Sequence, residues 1–140
     1  MKSYVVGFMF DSSKQKVVLI RKNKPEWQKG KLNGVGGKIE VDETPIDAMI
    51  REYKEETGVI RNGWDNFLIA AYDDCIVYFF KAFDSWCYEH SDTTEEEQIE
   101  KVSAINIPDD VIDNLQWIIR LALDEYVSNA FTYQRLHCSI

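Results

Sequence analysis

Between Gly36 and Val59 the chain reads GGKIEVDETPIDAMIREYKEETGV, and this stretch constrains the fold more than any other. Its second half carries the punctuation of a helix. Thr44 suits the N-cap, Pro45 the first helical position, and Asp47 completes a Thr-x-x-Asp capping box. Gly58 is the expected stop. Over Pro45–Thr57, Ile46, Met49, Ile50 and Tyr53 recur at three- and four-residue steps and predict the core face. Glu52, Glu55 and Glu56 then share another side, one turn apart. A solvated charged face is the plain reading of such a cluster. It leaves a cost unexplained, because like charges at about 6 Å and an effective dielectric near 20 repel by roughly 3 kcal/mol when partly buried. Carboxylates late in a helix also oppose its dipole. A hard divalent cation removes both penalties, so the spacing predicts a metal site.

The segment before the helix supplies a second half to such a site. Residues 23–38, NKPEWQKGKLNGVGGK, hold four of the seven glycines and are expected to form a long, ordered loop. Glycines in NGVGGK let the backbone approach a ligand closely and turn its N–H or C=O groups toward phosphate or metal.

Around this centre, Tyr4–Phe10 and Val17–Arg21 read as strands joined by the polar turn DSSKQK. FLIAAY and CIVYFFKAF read as a hairpin around Asp73 and Asp74, and EEEQIEKVSAI leads into a further short strand. The last long element, PDDVIDNLQWIIRLALDEYV, is expected to be an amphipathic helix with Val111, Leu115, Ile118, Ala122 and Tyr126 on one stripe. Strands, helix, strands, helix predict an α/β fold, a mixed sheet with helices on both faces, in a single domain over residues 1–140. A net charge of −8 disfavours duplex nucleic acid, since phosphates would be repelled. No run approaches the roughly 18 apolar residues of a membrane span, and the start alternates like a strand rather than a signal peptide. Cys75, Cys87 and Cys138 show no metal-type spacing and are expected to be free thiols in a reducing cytoplasm.

The acidic helix and the glycines before it resemble the Nudix hydrolase box, G-x5-E-x7-R-E-U-x-E-E-x-G-U, with U a bulky apolar residue. Gly37, Glu43, Arg51, Glu52, Tyr53, Glu55, Glu56, Gly58 and Val59 fill every position, over about a sixth of the chain. Tyr53 departs mildly from the aliphatic residue more usual there, and is expected in the core with its hydroxyl at the rim. The resemblance implies a Nudix-type α/β/α sandwich and attack of water on the diphosphate of a nucleoside diphosphate linked to another group. It implies Mg²⁺, with Mn²⁺ as substitute, to neutralise the diphosphate and activate water. Glu52, Glu55 and Glu56 then look like the metal-binding and base carboxylates, with the base differing among family members. The main-chain carbonyl of Gly36 is an expected further ligand. Glu43 and Arg51 look structural, Arg51 orienting the carboxylates, as do Gly37 and Gly58. A further carboxylate often comes from a late loop, which makes Glu96 and Glu97 candidates beside the reading of a solvated loop.

KLNGVGGK and DNLQWIIRLAL are most similar to the MutT-like branch, which converts nucleoside triphosphates to monophosphate and pyrophosphate. By that resemblance Asn33, and Asn114 with Asp113 beside it, read a purine edge. Asn33 also suits a turn beside glycine, and Asn114 an ordinary first helical turn. Trp117 and Trp27 are candidate stacking groups or loop anchors, and among Arg21, Lys22 and Lys24 one is expected to reach the triphosphate. An enzyme for ADP-ribose or a dinucleotide keeps the chemistry with a different second half of the substrate. A non-catalytic nucleotide sensor is the reading from another class. The expected partner is a small nucleotide, damaged or normal, with neither duplex nucleic acid nor membrane. A homodimer is compatible with the resemblance, although no exposed apolar seam is visible.

Overall fold

The computed structural model describes residues 1–127 and 133–135. Strand β1 (Lys2–Phe10) lies at the centre of a mixed sheet because it pairs along its whole length with β6 (Cys75–Phe83), in parallel. β5 (Asp65–Ala71) and β6 form the expected antiparallel hairpin, and β8 (Tyr133–Arg135) adds to β5 in parallel. The other edge of β1 forks. Its end pairs with β2 (Lys16–Arg21) and its beginning with β4 (Val35–Lys38), both antiparallel. β2 in turn carries β3 (Leu32–Asn33) and β7 (Ile99–Ser103).

Both faces of the sheet are buried, and alternation sorts the side chains between them. Phe8, Phe10, Val17 and Leu19 face α3 (Leu115–Leu123), whose Leu115, Ile118, Ile119 and Ala122 belong to the same cluster. Val5, Met9, Val18 and Ile20 face α1 (Pro45–Thr57) and α2 (Ser85–His90). Helices therefore cover both faces, as the sequence predicts. Cys75 and Cys87 lie in opposite clusters and do not pair with each other, while Cys138 lies outside the described residues. Among the described residues, no helix is long and apolar enough to cross a membrane.

The caps of α1 form as expected. Thr44 Oγ1 accepts from Asp47 N at 3.2 Å, and Gly58 adopts a left-handed φ of 81°. Three expectations are corrected. The stretch 23–38 is not one long loop, since β3 and β4 fall within it. β4 can lie against β1 only because residue 36 has no side chain: a Cβ there would sit 1.9 Å from the Val5 carbonyl oxygen. The last helix is shorter than PDDVIDNLQWIIRLALDEYV. Val111 is buried but bridges Leu32 as extended chain, Asn114 takes a left-handed φ of 74°, and Tyr126 is 95% exposed, beyond the stripe. Finally, the Tyr53 hydroxyl is not at the rim. Tyr53 is fully buried against the edge of Trp64, and its oxygen lies 2.6 Å from Ser91 Oγ. Ser91 Oγ donates to the Cys87 carbonyl at 2.7 Å, so the tyrosine hydroxyl donates to Ser91 and ties α1 to the end of α2.

Candidate active site

Arg51 organises the acidic face of α1. Its guanidinium makes a two-pronged pair with Glu43 (2.7 and 2.9 Å), and also donates to Glu52 Oε1 at 2.9 Å, Glu55 Oε2 at 3.3 Å and the Lys38 carbonyl at 3.0 Å. A fixed fork with five donors suits this task, which a lysine could not perform. Glu43 is 15% exposed, and its Oε1 also accepts from Glu40 N at 3.0 Å. The arginine beside it holds its carboxyl below the usual range. Glu43 thus closes the turn before α1 and anchors Arg51.

The three later glutamates differ in environment. Glu55 is 48% exposed and lies along Arg51. Glu52 is 13% exposed and rests on β4: a Cβ at Gly37 would lie 2.5 Å from its carboxylate. Burial raises the Glu52 pKa despite the pull of Arg51. Glu56 is the outlier. Its Oε2 is buried without a hydrogen-bond partner, and burial pushes its pKa up to about 8 against the attraction of Lys22. A buried carboxylate oxygen with no donor is costly, and one facing other carboxylates matches the donor chemistry of a hard divalent cation. Among the described residues, no three acidic, His or Cys side chains converge into a metal cage, and Arg51 bonds both Glu52 and Glu55. The residues nevertheless fit a metal that takes Glu56, Glu52 and backbone or phosphate oxygens.

On the other side of the glycine strand lies a cleft of about 490 Å³, walled by Gly34, Gly36 and Gly37 and floored by Tyr4, Val6, Val77 and Phe79. Lys22, Lys24, Trp27 and Asn33 line it, as do Tyr72, Gln28 and Ile112. Asn33 is 8% exposed; its Nδ2 donates to Gln28 Oε1 at 3.0 Å and its Oδ1 accepts from Gly34 N at 2.7 Å. Lys22 connects cleft and carboxylates, since it lines the first and its charge reaches Glu56.

Other sequence candidates are placed elsewhere. Arg21 is held by Glu100 and Asp110. Glu97 pairs with Lys22 at 3.0 Å and accepts from Asn23 N at 2.5 Å, so it clamps the strand end that carries the cleft lysines. Burial would raise its pKa, but these bonds bring it below the usual range. Glu96 is exposed in the same loop. Asp113 and Asn114 are exposed and do not line the cleft, and Asn114 Oδ1 accepts from Trp117 Nε1 at 3.1 Å. The cleft residues that the sequence did not reveal, Tyr4, Val77 and Phe79 above all, sit on β1 and β6. Only the parallel pairing of those strands brings them together.

The two glycines of β4 give a paired test. Gly36→Ala meets backbone and is expected to destabilise by about 1–3 kcal/mol or more. Gly37→Ala meets a movable carboxylate and is expected to cost less stability while displacing Glu52. Thermal unfolding of both variants, with metal affinity of the second, checks the order. Equal melting temperatures would contradict it.

The family model for the NUDIX domain matches residues 1–126. Among solved structures, a MutT protein from Methanosarcina mazei Go1 is 20% identical, with a TM-score of 0.68 over 85% of this chain and 90% of that one. An ADP-ribose pyrophosphatase from Streptococcus suis 89-1591 is 16% identical, with a TM-score of 0.70 over 96% of this chain and 98% of that one. The NUDIX domain of Shewanella oneidensis NrtR, complexed with ADP ribose, is 14% identical, with a TM-score of 0.65 over 86% of this chain and 85% of that one.

Proposed function

The chain belongs to the NUDIX family of hydrolases, and we propose that it hydrolyses a nucleoside triphosphate to monophosphate and pyrophosphate at the junction of α1 and the glycine strand. The observation that carries this reading is Glu56 Oε2, buried, unpartnered and beside Glu52. Nudix hydrolases generally use divalent metal ions, and a Mg²⁺ or Mn²⁺ bound here would neutralise the diphosphate and supply activated water. Glu52 and Glu56 would hold the ion, with Glu55 and the Gly36 carbonyl as further ligands. Arg51 keeps Glu52 and Glu55 in register, and Gly37 leaves room for the Glu52 carboxylate against the strand. Lys22 and Lys24 balance phosphate charge at the cleft mouth, while the apolar floor and Trp27 receive the nucleoside.

A second reading, an ADP-ribose pyrophosphatase, rests on the same carboxylates and on the likeness in fold to one protein of that kind. A panel of nucleoside triphosphates and ADP-ribose with Mg²⁺ or Mn²⁺, products identified by mass, separates the two. Triphosphates are expected to give monophosphate and pyrophosphate at the higher kcat/KM. Faster turnover of ADP-ribose than of every triphosphate would replace the first reading by the second.

A further inference from the structure

The amide pair in the cleft has a fixed polarity. A backbone N–H can only donate, so the Asn33 atom 2.7 Å from Gly34 N is Oδ1. Nδ2 of Asn33 then faces Gln28 at 3.0 Å, and the Gln28 atom that receives it must be the acceptor, Oε1. The Gln28 amino group, Nε2, is left at the cleft wall with both hydrogens and no protein acceptor among the described residues. The orientation of this half-buried amide is therefore set by a main-chain donor two hydrogen bonds away.

Resting on the nucleotide reading above, we propose that Gln28 is the residue that determines base specificity, presenting paired donors to a base edge with two adjacent acceptors. The N7/O6 edge of guanine offers that pattern. Set in the same register against the Gln28 amino group, adenine places its N6 donor where guanine has O6 and meets it donor to donor, and one lone pair of Gln28 Oε1 is already taken by Asn33 Nδ2. Asn33 acts as a positioning residue: it relays the polarity of Gly34 N to Gln28 and is itself almost enclosed. Tyr4, Trp27 and Tyr72 around the same cleft supply apolar and stacking surface, which every base shares, so discrimination falls to the amide.

The relay makes a prediction that a structural role for these side chains does not. In Asn33→Asp, the residue can still accept from Gly34 N but has no hydrogen for Gln28. The Gln28 amide should turn its Nε2 toward the new carboxylate and present Oε1 to the base, inverting the preference. Calorimetric binding of GMP and AMP to the full chain tests this without turnover. The wild type is expected to bind GMP about tenfold or more tighter than AMP, the scale of one good bidentate contact. Gln28→Leu should bring the two within about twofold, and Asn33→Asp and Gln28→Glu should both favour AMP. Comparing ratios cancels the repulsion of phosphate by an added carboxylate, and Gln28→Leu keeps the test open should Asn33→Asp fail to fold. Equal affinities in the wild type, no binding of either monophosphate, or a GMP preference unchanged in Gln28→Leu would overturn the proposal. Selective binding without hydrolysis of any triphosphate would instead count against the proposed reaction and leave the role of Gln28 standing.

Discussion

With divalent metal removed by chelator, Glu56→Gln is expected to melt roughly 5–10 °C above the wild type at pH 8 and at the same temperature near pH 4. The reason lies in the enclosed carboxyl. Glu56 in the folded chain holds its proton until about pH 8, whereas in the unfolded chain it titrates near its ordinary value of 4.5. Below pH 4.5 both states are protonated and the group leaves stability unchanged. Between 4.5 and 8 the unfolded state releases a proton that the native state keeps, so wild-type stability falls as pH rises, and above 8 the loss is complete. Because the carboxyl is only partly enclosed, the loss is expected to reach about 2 kcal/mol rather than the full linkage value. Glutamine has no proton to lose and shows no such slope. Saturating Mg²⁺ should close or reverse the gap, because an ion bound only by the native wild type stabilises it by mass action. Thermal unfolding from pH 4 to 9, with chelator and with Mg²⁺, measures all four curves. A wild-type curve in chelator that rises with pH by the same amount as the variant's would remove the buried acid from the account.

Arg51→Met is expected to destabilise the chain by about 2 kcal/mol or more at pH 7, and to lower hydrolysis steeply. The substitution leaves Glu43 and Glu52, each mostly enclosed, without their shared cation. Its pH dependence has the opposite sign to that of Glu56→Gln. Arg51 depresses the Glu43 pKa, so their pair stabilises the fold above the unfolded value of 4.5 and loses that contribution as pH falls through the lower, folded value. The deficit of Arg51→Met should therefore shrink in acid. Arg51→Lys should recover little, since a single ammonium cannot span Glu43, Glu52, Glu55 and the Lys38 carbonyl together. Full recovery by lysine would show that charge alone, and not the fork, organises the face.

How much of this could be read from the chain alone depended on whether the signal was local. The caps of α1 are local, one hydrogen bond from Asp47 N to Thr44 Oγ1 and one left-handed glycine, and they form as written. The β5–β6 hairpin is also local, and so is the carboxylate spacing of α1. What escaped depends on pairing between distant segments. β4 is a strand because β1 lies beside it, and only contact with Val5 explains Gly36. α2 escaped because its single turn and a half carries no periodic stripe, although Asp84, which accepts from Cys87 N at 2.9 Å, is an ordinary cap. The C-terminal apolar stripe runs through Val111, yet that residue is buried as extended chain against Leu32, so burial was legible and helix was not. The enclosure of Tyr53 and the clamp made by Glu97 each rest on a partner at least 38 positions away in sequence. Charge in the EEEQIE run gave no hint of which glutamate would turn inward.

Metal-dependent hydrolysis of a nucleotide diphosphate linkage by the buried carboxylates of α1 is the reaction proposed for this chain. It is tested most directly by kcat for the best triphosphate at saturating Mg²⁺, in the wild type and in Glu56→Gln, on protein whose folding has been checked by its melt. The account predicts turnover by the wild type that chelator abolishes, and a loss of several hundredfold or more in a variant that is as stable as its parent or more so. Turnover by Glu56→Gln within a fewfold of the wild type would contradict it.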